Sequence, residues 1–238
     1  MKKIASITIL FLLVLSVTLY GQTKPKVKGS GNVVKKERKA SYFNQVKVAT
    51  AIDLILTQGG SESIMVEADD NLHEYIVTEI KDNTLKIYLE ANVGEAKEMN
   101  VYVTMKDIEK IAATSAGDVV GKTVIKADEL TLVTSSAGDL KLDLDVKKLT
   151  CKISSAGDIS LTGKTDELEA NLSSAGDLNA YELTARVANV SVSSSGDADI
   201  TVTDKLWARA SSAGDISFKG NPPEVDAHSS SAGSINRK

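Results

Sequence analysis

Through the second half of the chain, apolar and polar side chains alternate in short bursts that restart at each of a series of glycines. Eight, six and four positions before those glycines stand three rows of apolar or small residues. They are Leu130, Leu149, Leu168, Ala188, Leu206 and Val225; then Leu132, Cys151, Ala170, Val190, Ala208 and Ala227; then Thr134, Ile153, Leu172, Val192, Ala210 and Ser229. The positions between are mostly polar, among them Thr150, Lys152, Glu169, Asn171, Asn189 and Arg209, with Val133 and Trp207 as apolar exceptions. Beyond each glycine the alternation resumes, at Val119, Leu140, Ile159, Leu178, Ala198, Ile216 and Ile235, and again two residues later at Leu142, Leu161, Ala180, Ile200 and Phe218. A period of two is the mark of a strand with one buried face. Each repeat therefore predicts two short strands joined at the glycine.

The glycine sits in a near-constant phrase, SSAGD, at Gly117, Gly138, Gly157, Gly176, Gly196, Gly214 and Gly233. The successive gaps are 21, 19, 19, 20, 18 and 19 residues. A fixed period with a glycine turn marks a stacked repeat. One repeat cannot bury its own apolar row, but equivalent strands stacked at about 4.8 Å can, and like residues then form columns. The predicted fold is all-β: a parallel β-helix or β-solenoid, right-handed by the usual crossover preference. Six steps at that spacing give a stack of about 30 Å. The seven glycines are read as structural turns that need either positive φ or close backbone approach. Variation in the period is placed at the second connection of each repeat, as at 163–166 and 219–223. A β-sandwich of consecutive hairpins is the alternative; it accounts for the alternation but not for the identical corners.

Residues 27–110 lack the phrase but carry strand-like runs at 46–57, 63–68, 84–89 and 100–105, with turns at Gly59-Gly60 and Asp82-Asn83. Residues 71–80 are read as a short helix capped by Asp70 or Asn71. The organisation expected is an export signal over 1–21, a leader over 22–26, a β-rich N-terminal subdomain over 27–110 covering one end of the stack, and the solenoid over 111–238.

The signal rests on Lys2-Lys3, the apolar run from Ile7 to Leu15, and small Gly21 at the expected cut. The apolar run is short for a membrane span, so no integral membrane segment is expected after cleavage. Loss of Lys2 and Lys3 takes the net charge from −4 to −6. A mildly acidic chain without basic clusters is a poor nucleic-acid binder. Aromatic content of 4% within a hydrophobic content of 42% favours thin β-layers over a bulky core. The single cysteine, Cys151, lies on a core row and reads as a small buried hydrophobe.

After six of the seven glycines comes an aspartate: Asp118, Asp139, Asp158, Asp177, Asp197 and Asp215. Stacked carboxylates about 5 Å apart repel by roughly 1 kcal/mol in water and more at lower dielectric. Two ways of offsetting this are open, and a third reading makes the row a sugar- or partner-binding edge. Each Asp can accept bonds from its own turn's amides or serine hydroxyls, or the row can hold Ca²⁺, with Asp139, Asp158, Asp177, Asp197 and Asp215 as ligands. The serines two before each glycine share the parity of the core rows and are expected to form a buried hydroxyl column. No serine is read as a nucleophile, because seven copies of one turn supply no unique base. His73 and His228 stand outside any metal-ligand spacing and read as ordinary residues. No catalytic or cofactor-binding residue is expected.

With those residues in view, the chain resembles the head GIN domain family of auto-transporter adhesins, found among exported proteins of Bacteroidetes-type bacteria. The resemblance is carried by Gly29-Ser30-Gly31-Asn32, Phe43, the stretch Asp53-Leu54-Ile55-Leu56-Thr57-Gln58-Gly59, Asp70-Asn71-Leu72, Thr84-Leu85-Lys86-Ile87 and the SSAGD repeats. It implies a β-helix-like fold and an exported location, in the periplasm or at the cell surface. It brings no catalytic residues. The expected function is a non-enzymatic envelope or surface module that binds a protein or glycan ligand. A carbohydrate-active β-helix enzyme and a self-associating structural module are the alternatives, the last implying a homo-oligomer.

Overall fold

The computed structural model describes residues 24–238, so the segment read as an export signal lies outside the described residues. Of the described residues 67% are strand, and they form a β-solenoid of about 7 turns with an N-terminal β subdomain. The strands are β1 (Lys26–Val27), β2 (Val33–Arg38), β3 (Gln45–Ala49), β4 (Asp53–Gln58), β5 (Ser63–Asp69), β6 (Ile76–Lys81), β7 (Thr84–Leu89), β8 (Asn92–Val93) and β9 (Met99–Met105). The repeats add β10 (Lys110–Thr114), β11 (Val119–Gly121), β12 (Ile125–Ser135), β13 (Leu140–Ser154), β14 (Asp158–Ser173), β15 (Asp177–Ser193), β16 (Asp197–Ser211), β17 (Asp215–Lys219), β18 (Glu224–Ser229) and β19 (Ser234–Arg237).

Consecutive coils pair in parallel and in register. Leu130 lies against Leu149, Leu149 against Leu168, Leu168 against Ala188, Ala188 against Leu206 and Leu206 against Val225. These are the columns the alternation demands, and they are buried as far as Leu206. Hairpin pairing is excluded, because these neighbours run parallel. Register shifts fall between Ser160 and Thr162, between Ala180 and Thr184, and between Ala185 and Val187, at the second connection where the period was expected to vary.

The columns do not stop at the first SSAGD phrase. β3 pairs in parallel with β10, and β4 with β11. Val46 therefore stacks on Ile111 and Val48 on Ala113. On the far side of this coil lie β7, parallel to β3, and β9, parallel to β4. The stack is then closed by antiparallel strands: β6 on β7, β5 on β9 and β2 on β5. Antiparallel strands end the parallel ladder and cover its core, so Phe43, Leu72, Leu85 and Met105 are fully buried beside the repeat columns.

The helix expected over 71–80 does not form. A single 3-10 turn, Asp70–Leu72, leads directly into β6. The reason is local: Ile76, Val77, Thr78 and Ile80 are β-branched and pair with the edge of β7.

Candidate functional site

The corner is built differently from the glycine-centred expectation. The left-handed residue is the serine two before the glycine: φ is 68° at Ser136, 65° at Ser155 and 67° at Ser174. That left-handed serine, followed by a second left-handed residue at Ser195, Ala213 and Ala232 in the last three corners, breaks the alternation. The serine side chain turns out to solvent and the glycine turns into the core. Ser115, Ser136, Ser155, Ser174, Ser194, Ser212 and Ser231 are accordingly exposed, which overturns the buried hydroxyl column, while the six corner glycines from Gly117 to Gly214 are buried. Glycine is required here by close approach: a Cβ on Gly176 would lie 2.4 Å from Ile153 Cγ2 and 3.1 Å from the Gly157 carbonyl oxygen.

The same corner occurs once more, in disguise. Thr50 has φ of 71°, and Thr50-Ala51-Ile52-Asp53 occupies the place of Ser-Ala-Gly-Asp one coil before Gly117. Isoleucine replaces the glycine at this position and is fully buried. The signal was present in the sequence, since Val46, Val48, Leu54 and Leu56 carry the repeat's own spacing around Asp53.

The corners set the aspartates in one outward row. Asp158 lies beside Asp177, Asp177 beside Asp197, Asp197 beside Asp215, and Asp215 beside Ser234. Asp118 and Asp139 extend the row toward the N-terminus, through main-chain bonds from Val119 N to the Asp139 carbonyl (2.8 Å) and from Leu54 N to the Asp118 carbonyl (2.7 Å). Asp53 joins the end of the row, next to Asn100 on β9.

Burial and then like-charge neighbours push three of these carboxyls above the usual range. For Asp118 the neighbours are Asp139 and Asp53; for Asp158, Asp139 and Asp177; for Asp197, Asp177, Asp215 and Asp199. Offsetting bonds come from the adjacent coil rather than from each aspartate's own turn. The nearby amides of Asp139 and Asp177 draw the Asp118 and Asp158 carboxyls partly back down, and Ser234 Oγ donates to Asp215 Oδ1 at 2.6 Å. The main-chain amides of Asp177 and Asp215 donate to the carbonyls of Gly157 and Gly196, one coil back. Among the described residues, no three His, Cys, Asp or Glu side chains form a group that could hold a metal ion. Asp139, Asp158, Asp177, Asp197 and Asp215 thus form a line of oxygens rather than a cage.

A second lateral surface lies at the other connection of each coil. Ion pairs step from coil to coil: Lys147 to Asp128 (2.7 Å), Lys164 to Asp145 (3.4 Å), and Arg186 between Asp166 (3.6 Å) and Asp204 (3.2 Å). They border an open groove of about 670 Å³. Each pair is solvent-exposed, so it orders the surface more than it stabilises the fold. The sequence reading missed this ladder, although acid and base recur one period apart.

Two buried side chains are structural. Cys151 is fully buried, and burial pushes its thiol up to about 12, which removes it from nucleophilic chemistry near neutrality. His73 is 4% exposed, and its Nε2 donates to the Val34 carbonyl at 3.1 Å. Desolvation lowers its pKa, so the ring is held neutral.

The opening Gly29-Ser30-Gly31-Asn32 closes on 69–71 as a clasp. Ser30 Oγ donates to Asp70 Oδ1 (2.5 Å), Asn32 Nδ2 to Asp70 Oδ2 (3.0 Å) and Ser30 N to Asn71 Oδ1 (2.9 Å). Fully buried Asp69 accepts from the amides of Gly31 and Lys97. A Cβ on Gly29 would sit 2.8 Å from Asp69 Cγ, which explains that glycine. Two stretches that carried the family resemblance are therefore partners in one contact.

Solved structures share the architecture. A protein from Bacteroides fragilis described as a putative adhesin aligns with a TM-score of 0.81 at 23% identity, over 89% of this chain and 100% of its own. One from Parabacteroides distasonis described as a putative lipid binding protein aligns with 0.76 at 23% identity, over 90% and 99%. A putative adhesin from the same species aligns with 0.73 at 24% identity, over 90% and 100%. At such identities the likeness is one of fold. No curated protein matches the chain. The family model described as "Putative auto-transporter adhesin, head GIN domain" matches residues 42–222, from the cap through six of the seven glycine corners, and the chain belongs to that family.

Proposed function

We propose that the protein is a non-enzymatic exported surface module that binds a repetitive partner, a glycan or an extended protein, along its lateral faces. The observation that carries this reading is the recurrence of one outward chemistry on consecutive coils, with Asp158, Asp177, Asp197 and Asp215 in register. A row of identical weak contacts suits a polymer, because each further contact is intramolecular once the first has formed. Catalysis needs the opposite arrangement, unlike groups converging on one reacting atom. The adhesin descriptions of the family and of the Bacteroides fragilis relative point the same way.

The test is binding of the chain lacking residues 1–21 to arrays of glycans, matrix proteins and envelope fractions. Avidity should rise with ligand length, and it should change when Asp158 and Asp177 are both replaced by Asn. Turnover of a polysaccharide that is lost in the same double variant would replace this reading with an enzymatic one.

A further inference from the structure

The two ends of the stack are unlike. At the N-terminal end, antiparallel β2, β5 and β6 close the last parallel coil. The outermost of these, β2, carries Lys35, Lys36, Glu37 and Arg38 in succession, which blunts its free edge. At the other end β18 pairs with β16 and β19 with β17, and neither has a partner on its outer side among the described residues. The apolar columns emerge there as well. Leu206 is 0% exposed, whereas Val225, the next residue in its column, is 48% exposed. Ala227 is exposed and Ile235 half-buried.

We propose that this open end is an interface between two copies of the chain, tail to tail, with β18 running antiparallel to β18 of the second copy about a two-fold axis at Ala227. Charges on the two edges of the N-terminal end, Lys35, Lys36 and Arg38 on β2 and Glu79 and Lys81 on β6, disfavour a head-to-tail filament, whereas a two-fold contact satisfies both open ends at once. The strand is also self-complementary in this register. Pairing about Ala227 sets Asp226 opposite His228 of the second copy, twice over, and opposite-charge or hydrogen-bonding pairs across strands are favourable. Centring on Asp226 would instead put two carboxylates face to face. Both acids of the strand also have a cation within the chain, Glu224 in Lys205 at 2.6 Å and Asp226 in Arg209 at 2.8 Å, so the edge is not a repelling strip. The contact continues the core columns and leaves both lateral faces free, so it stands independently of ligand binding.

Sedimentation equilibrium of the chain lacking residues 1–21, from micromolar to near-millimolar concentration, tests the proposal. A monomer–dimer equilibrium that saturates at two copies is expected. Val225→Glu and His228→Glu should each raise the dissociation constant by about tenfold or more, while His228→Lys retains the dimer. Protection of the Cys151 thiol from reagents verifies that each variant is folded. A strict monomer over the whole range, growth beyond two copies, or a dimer indifferent to Val225→Glu and His228→Glu overturns the proposal.

Discussion

The cap and the corner aspartates of the stack treat their carboxylates in opposite ways. In the cap, the Tyr102 hydroxyl and then Lys35 hold Glu67 below its ordinary range; Ser30 and Asn32 do the same for Asp70. Burial opposes ionisation of Asp69, but the amides of Lys97, Gly31 and Glu98 together outweigh it and hold its pKa down. In the stack, burial and stacked neighbours raise Asp118, Asp158 and Asp197. The difference follows from how each region is made. The cap is assembled once, from unlike segments, so each acid can be given its own donors. The stack repeats one turn, so each acid meets a copy of itself.

The strongest way to break the comparison is at a corner. Gly176→Val should destabilise the stack by about 3 kcal/mol, because the added Cβ overlaps Ile153 and close-packed cores resist overpacking. Thermal melting and exposure of the Cys151 thiol would report it. Asp69→Ala should loosen the cap by stranding the amides of Gly31 and Lys97. Hydrogen exchange should then quicken in β2, β5 and residues 94–98 while β13 to β16 stay protected.

The next test is pH. The raised stack carboxyls contribute stability that is fully present below their unfolded values and lost as pH rises through their folded ones. The lowered cap carboxyls contribute stability that is present above their unfolded values and lost as pH falls through their folded ones. Between neutrality and the ordinary carboxylate range, about pH 4, acidification should therefore slow exchange in the stack before it weakens the cap. Asp158→Asn should remove part of that gain. Equal weakening of both regions on mild acidification would contradict the account.

Two smaller effects sharpen the picture. Thr134 is fully buried in the column between Ala113 and Ile153, and its hydroxyl has no partner. Thr134→Val should stabilise the stack by about 1 kcal/mol in urea melts. Lys147→Ala removes only an exposed pair with Asp128 and should leave stability unchanged within error.

The repeat was legible because its alternation and its corner are both short-range patterns. Leu149, Leu168 and Leu206 announce an inward face, and the fixed spacing of SSAGD forces the coils into register. The inward turn of the glycine was not legible, because the left-handed conformation at Ser136, Ser155 and Ser174 inverts parity without changing composition. The cryptic corner at Thr50 to Asp53 escaped because Ile52 replaces the glycine. The cap was legible only as strands: its closure joins residues 29–32 to 69–71 and 97–98, contacts between distant segments that no period encodes. The aspartate row was legible as a row, whereas its donors belong to neighbouring coils.

The claim beneath all of this is coil-over-coil register, and an engineered cross-link measures it directly. Asn171 and Ser191 are register partners on the outward face of β14 and β15. Cysteines at these two positions meet the distance a disulfide needs, whereas a 171/193 pair would hold its Cα atoms about 8 Å apart, beyond reach. Mild oxidation should join the 171/191 pair rapidly and leave the 171/193 pair open, with buried Cys151 unmodified in both. Efficient cross-linking at 171/193 with none at 171/191 would contradict the stacked corner on which the account rests.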